Sequence, residues 1–146
     1  MSPNTDENLA LIESFKAYYR DIAKLNVDDM ASLYHSEIVF KDPVHDLRGI
    51  NELHSYMQNV SANVKRGRFE YLDQLVVPGK AYIKWNMYFE HSKLGSKVIV
   101  VRGMSHVEFS EKIHFHEDVY DMGALLYEHL PLLGGATRWL KARLSR

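Results

Sequence analysis

The chain has 146 residues, 46% of them hydrophobic and 25% charged, with a formal net charge of -1 and no cysteine. That balance carries no electrostatic footprint for nucleic acid, and the missing cysteines exclude disulfides and thiolate chemistry. No basic segment leads into an apolar block, and no run approaches membrane-spanning length. The expectation is one cytoplasmic domain over residues 1–146, with no membrane and no nucleic acid among its partners.

In chain order, Leu11, Phe15, Tyr18, Ile22 and Leu25 recur at spacings of three and four, which predicts an amphipathic helix from Asp6 to Leu25 with Asp6 as N-cap. Asn26-Val27-Asp28-Asp29 breaks the pattern. Met30, Leu33 and Tyr34 mark a short second helix. Ile38 to Val44 reads as a strand, with Ile38, Phe40 and Asp42 on one face and a stop at Pro43. After a loop holding His45, Asp46 and Arg48, a third helix runs from Ile50 to Val64 on Ile50, Leu53, Met57, Val60 and Val64. The patch Lys65-Arg66-Gly67-Arg68 ends it.

The period then changes to two. Strands are predicted over Phe69–Val77, Ala81–His91, Val98–Phe109 and Lys112–Tyr120, with turns at Pro78-Gly79, Leu94-Gly95-Ser96 and Ser110-Glu111. From Leu125 to Leu144 the chain is helical again, interrupted at Pro131 and Gly134-Gly135, with a basic face of Arg138, Lys141 and Arg143. Helices segregated from four consecutive strands make an α+β fold, and a long bent meander under helices tends to enclose a pocket.

Several residues could carry chemistry. Asp42 ends an apolar row. It is either a general base held against apolar surface, where poor solvation makes a carboxylate reactive, or a cap on the turn at Pro43. Tyr18, on the stripe of the first helix, is a core tyrosine or a hydroxyl aimed at a ligand. His114, His116 and Asp118 share one strand face with Tyr120. That face is solvated, or an acid–base pair in which Asp118 orients His116, or a ligand set for Zn or Fe(II). Ser105 and His106 point to opposite faces and cannot act as a nucleophile–base pair. No phosphate loop or dinucleotide fingerprint is present.

The order of elements, together with Asp42-Pro43-Val44 and Val100-Val101-Arg102-Gly103-Met104-Ser105-His106, resembles the nuclear transport factor 2-like superfamily and its ketosteroid isomerase members. The ending, Lys112-Ile113-His114-Phe115-His116-Glu117-Asp118-Val119-Tyr120, resembles the SnoaL-like branch. The resemblance spans about residues 9–123 and leaves 124–146 as a C-terminal helical extension. It implies a cone-shaped, curved antiparallel sheet packed on three helices of the N-terminal half, the cystatin-like architecture, with an extra C-terminal helix.

For function, the resemblance implies a small hydrophobic ligand in the cone. The activity would be cofactor-independent acid–base chemistry of isomerase, cyclase or dehydratase type on a carbonyl or polyketide-like compound; the alternative is a non-catalytic ligand-binding or interaction module. Asp42 falls where ketosteroid isomerase keeps its general base and Tyr18 where it keeps an oxyanion-stabilising tyrosine. Ser105 stands in place of that enzyme's second oxyanion donor, a protonated aspartic acid. The expected catalytic set is therefore Asp42, Tyr18, Asp118, His116 and Ser105, with no metal and no cofactor. Phe40, Tyr34, Met57, Trp85, Met87, Phe89, Val101, Val107 and Tyr120 are expected to touch the ligand. With Ile113, Phe115 and Val119 on the opposite face, a homodimer through the outer sheet face is expected.

Overall fold

The computed structural model describes residues 5–91, 97–121, 123 and 131–145, without the side chains of 131–134. The predicted turn at Leu94-Gly95-Ser96 and the helical segment from Leu125 to Leu130 lie outside them.

Helix α1 is Thr5–Tyr18, so Asp6 sits inside its first turn. Its buried stripe is Asn8, Ile12 and Phe15, continued by Tyr19, at spacings of four, three and four. That stripe is one residue round from the predicted one, because Leu11-Ile12 and Tyr18-Tyr19 let two adjacent apolar stripes fit the same pattern. The helix also ends seven residues earlier than predicted. The side chains of Asp21 and Asn26 accept from Ala23 N and Asp28 N, each at 3.2 Å, and turn the chain into two short 3-10 helices, Ile22–Lys24 and Val27–Asp29. Such local acceptors compete with the helical ladder.

Helix α2 is one turn, Met30–Leu33, and strand β1 follows at once as Tyr34–Lys41. Tyr34 thus opens a strand, and Asp42 lies one residue past its end. The predicted loop contains a short strand β2, Asp46–Arg48. Helix α3 is Ile50–Asn63, entered through Gly49, whose φ of +88° suits a residue without Cβ. Strand β3, Val64–Val77, begins directly after it, so Lys65–Arg68 forms the strand's start and not a helix terminator. Strands β4 (Lys80–His91), β5 (Ile99–Phe109) and β6 (Ile113–Tyr120) complete the sheet. Helix α4 is Pro131–Leu144, and Pro131 starts it, as suits a residue whose N–H is not needed there.

The six strands form one sheet in the order β2-β1-β6-β5-β4-β3. All neighbours are antiparallel except β1 and β6, which are parallel, so the sheet is mixed rather than purely antiparallel. The α+β class and the helix-covered sheet stand as expected. Helices α1–α3 cover the inner face, where Ile12, Phe15, Leu53 and Met57 meet Ile38, Phe40, Ile83 and Trp85 in the core. Leu75, Tyr82, Val100, Met104 and Val119 stand exposed on the outer face. No helix among the described residues is long and apolar enough to cross a membrane.

Candidate functional site

Strand register assembles the site. Phe40, His116, Val107 and Ala81 lie abreast across β1, β6, β5 and β4 on the inner face. The next inward row holds Asp118, Ser105 and Ile83, and the one after it Tyr120, Gly103, Trp85 and Tyr71. A Cβ on Gly103 would fall 2.3 Å from the Trp85 ring, so glycine there vacates the space that the indole fills. Trp85 Nε1 then reaches Ser105 Oγ at 2.9 Å.

Between this face and the helices lies a cavity of about 210 Å³. Its wall is chiefly aromatic: Phe15, Tyr19, Phe40, Tyr56, Phe69, Tyr71, Trp85, Phe89 and Tyr120. Asp42, Ser105, His116 and Asp118 also reach it, with Met57 and Met87. No lysine or arginine among the described residues lines it.

Two carboxylates organise the polar groups. Asp118 Oδ1 accepts from Ser105 Oγ at 2.6 Å and lies 2.7 Å from His116 Nε2. His116 Nδ1 is 2.7 Å from the Tyr34 hydroxyl, which is 2.6 Å from that of Tyr19. With Asp118 ionised and His116 neutral, one arrangement of protons satisfies all of these. A carboxylate only accepts, so Nε2 carries the proton; Nδ1 then accepts from Tyr34, and Tyr34 accepts from Tyr19. Every donor in the chain points toward Asp118. The His116 ring is 1% exposed and is boxed by Phe15, Tyr19, Tyr34 and Phe40 at centroid distances of 4.9–6.0 Å. Burial pushes the Tyr19 and Tyr34 hydroxyls well above their ordinary pKa.

The second carboxylate, Asp42, is held by its own neighbourhood. Oδ1 accepts from Val44 N at 2.9 Å and His45 N at 2.8 Å, with His45 Nδ1 also at 2.9 Å. Oδ2 takes the Tyr56 hydroxyl at 2.8 Å. Asp42 therefore caps the turn at Pro43 and faces the cavity at once. Burial first, then the charge of Asp42, pushes Tyr56 and Tyr120 upward.

The structure brings Asp42, Ser105, His116 and Asp118 together with Phe40, Met57, Trp85, Met87, Phe89 and Tyr120. Tyr18 does not join them: its hydroxyl donates outward to the Asn26 carbonyl at 3.2 Å, and half-burial beside Asp29 pushes its pKa up to about 12. Tyr19 takes the place at the cavity because the buried stripe is rotated by one residue. Val101 and Val107 are fully buried in the packed core and not in the wall, and Tyr34 stands one layer behind His116. His114 leaves the shared face. Pairing of β5 with β6 passes from Glu108–Phe115 to Phe109–Ile113, a bulge that skips His114, exposes it and buries Ile113. His114, His116 and Asp118 thus do not converge, and no group of three metal-donor side chains does so among the described residues.

Sequence reasoning missed Tyr19, Tyr56 and the aromatic wall of Phe15, Phe69 and Tyr71. The signal for Tyr19 was its spacing from Asn8, Ile12 and Phe15. Tyr56 lies three residues after Leu53 and beside Met57, on the edge of the predicted apolar stripe.

These features define a class: an α+β fold whose helices close the inner face of a curved sheet over an aromatic cavity with two carboxylates. The sequence profile of the SnoaL-like domain family matches residues 15–116, and the chain belongs to that family, within the nuclear transport factor 2-like superfamily. No curated protein matches it in sequence. Among solved structures, a protein from Jannaschia sp. CCS1 described as a SnoaL-like polyketide cyclase superposes with a TM-score of 0.75 at 9% identity, over 86% of this chain and 93% of that one. One from Shewanella denitrificans OS-217, described likewise, gives 0.70 at 14% identity, over 84% and 95%. An LEH-like epoxide hydrolase from M. tuberculosis gives 0.70 at 13% identity, over 96% and 99%. At these identities the likeness is one of fold.

Proposed function

We propose that the chain binds a small hydrophobic molecule in this cavity and moves a proton on it without a cofactor, with Asp118 as general base. The reaction type is that of an isomerase, cyclase or dehydratase. The observation that carries this is the Asp118 carboxylate. Oδ1 is fixed by Ser105 and His116, while Oδ2 has no hydrogen-bond partner among the described residues and lies at a largely apolar cavity wall. A base held still in poorly solvated surroundings has the geometry for proton abstraction. His116, with Tyr34 behind it, orients the carboxylate and spreads the change in charge when a proton arrives. Asp42 is the weaker candidate, since local donors engage both of its oxygens.

Nitrobenzisoxazole, a neutral aromatic C–H acid that opens to a coloured phenolate, tests for such a base without knowledge of the natural substrate. Asp118→Asn is expected to lower the rate by about a hundredfold or more, in line with loss of a general base. Asp42→Asn should cost less. Equal rates for wild type and Asp118→Asn would end the catalytic assignment and leave a ligand-binding module of the same fold.

A further inference from the structure

We infer that the ligand of this cavity is an organic cation, an amine-derived group carried on an apolar or aromatic frame. This rests on the small-molecule reading above and names the class of molecule.

Hydrogen-bond polarity makes the first argument. The Tyr19 and Tyr34 hydroxyls, His116 Nε2, the Ser105 hydroxyl and the Trp85 indole N–H form chains that end on Asp118. The Tyr56 hydroxyl ends on Asp42. With Asp118 ionised and His116 neutral, these polar hydrogens are engaged inside the protein. Among the described lining residues, the Tyr71 and Tyr120 hydroxyls remain as side-chain donors. A carbonyl that becomes an enolate needs donors at its oxygen, and here few are left to give.

Charge makes the second argument. Two carboxylates reach the cavity, and no lysine or arginine among the described residues lines it. His45 sits beside Asp42, and Lys16 lies outside Tyr71, 5.8 Å from its ring centre and paired with Glu13 at 2.8 Å. Nine aromatic rings complete the wall, and their faces attract positive charge. An anionic ligand meets two like charges here. A cation meets two opposite charges and an aromatic wall.

The chemistry is consistent with Asp118 as base. For an iminium, a proton on the carbon next to the iminium carbon goes to Asp118 Oδ2, its C–H electron pair becomes the C=C bond, and the C=N π pair moves onto nitrogen to give a neutral enamine. No oxyanion forms, so no oxyanion donor is called for.

Titration calorimetry and thermal shift on the wild-type protein, with three probes of one shape, decide the matter. The probes are benzyltrimethylammonium, its uncharged isostere neopentylbenzene, and phenylacetate. The cation is expected to bind on the order of tenfold more tightly than the isostere, and phenylacetate not to bind. Asp118→Asn should bring the cation down toward the isostere. The inference is overturned if the isostere binds as well as the cation, or if phenylacetate competes. Because the wild-type comparison decides, a variant that folds poorly does not weaken the test. Cation binding without opening of nitrobenzisoxazole supports this inference and removes the catalytic one. Opening of nitrobenzisoxazole at Asp118 without cation preference does the reverse.

Discussion

The two carboxylates of the cavity are held in different ways. Asp42 is fixed mainly by groups within three residues of it, Val44 N, His45 N and the His45 ring, with Tyr56 added from helix α3. Asp118 is fixed by side chains from across the fold: Ser105 on the neighbouring strand, and through His116 the hydroxyls of Tyr34 and Tyr19, more than eighty residues earlier. A turn that folds locally gives a carboxylate whose hydrogen bonds survive small shifts of the sheet. A relay that spans the core ties the carboxylate to global packing, so damage to it should register in stability as well as in chemistry.

Alkaline titration has the largest expected effect and reaches both clusters, since Tyr56 and Tyr120 at the Asp42 side are pushed up as well. The Tyr19 and Tyr34 hydroxyls are pushed up by burial. Below pH 10 both folded and unfolded states keep these protons, and the contribution to stability is intact. Above about pH 10 the unfolded chain releases them while the folded chain holds them, so stability falls by about 1.4 kcal/mol per pH unit for each of the two. Denaturant melts at stepped alkaline pH should show this slope, and phenolate absorbance from Tyr19 and Tyr34 should appear only with unfolding. A flat profile above pH 10 would contradict their burial as neutral groups.

Tyr34→Phe comes next. It leaves the Tyr19 hydroxyl and His116 Nδ1 without their buried partner, at about 1–3 kcal/mol in urea unfolding, and it should make the alkaline slope shallower. The corresponding change in the local cluster, Tyr56→Phe, removes one of several donors to Asp42 and should cost about 1 kcal/mol. If Tyr56→Phe proved the more damaging, the contrast between a local and a core-spanning carboxylate would be reversed. Tyr18→Phe is the smallest: its hydroxyl makes one exposed bond, and the effect should stay within about 0.5 kcal/mol.

Much of this architecture could be read from the chain alone, because its causes are local. Alternation marked strands β4 and β5 to within a residue at most ends, and the three-four spacing marked α3. Asp42 before Pro43 announced a strand end with a capped turn. Alternation put Trp85 on one face with Met87 and Phe89, and that parity held because β4 and β5 pair without a bulge; Ser105 and Asp118 entered the expected site through the family resemblance.

Three decisions belonged to the tertiary structure. Which of Tyr18 and Tyr19 meets the cavity depended on a rotation of α1 by one residue. Both stripes satisfied the periodicity, and only packing against the sheet chose Asn8, Ile12, Phe15 and Tyr19. Whether His114 or His116 faces inward depended on one bulge in β6, which shifts strand parity by a residue and which no local propensity announces. That Tyr34, His116 and Asp118 form one relay depended on the parallel pairing of β1 with β6, a contact between segments about eighty residues apart. Composition and periodicity set what each segment can become. The register between distant segments, fixed by burying all the inward faces together, set which polar groups meet and in which direction their hydrogens point.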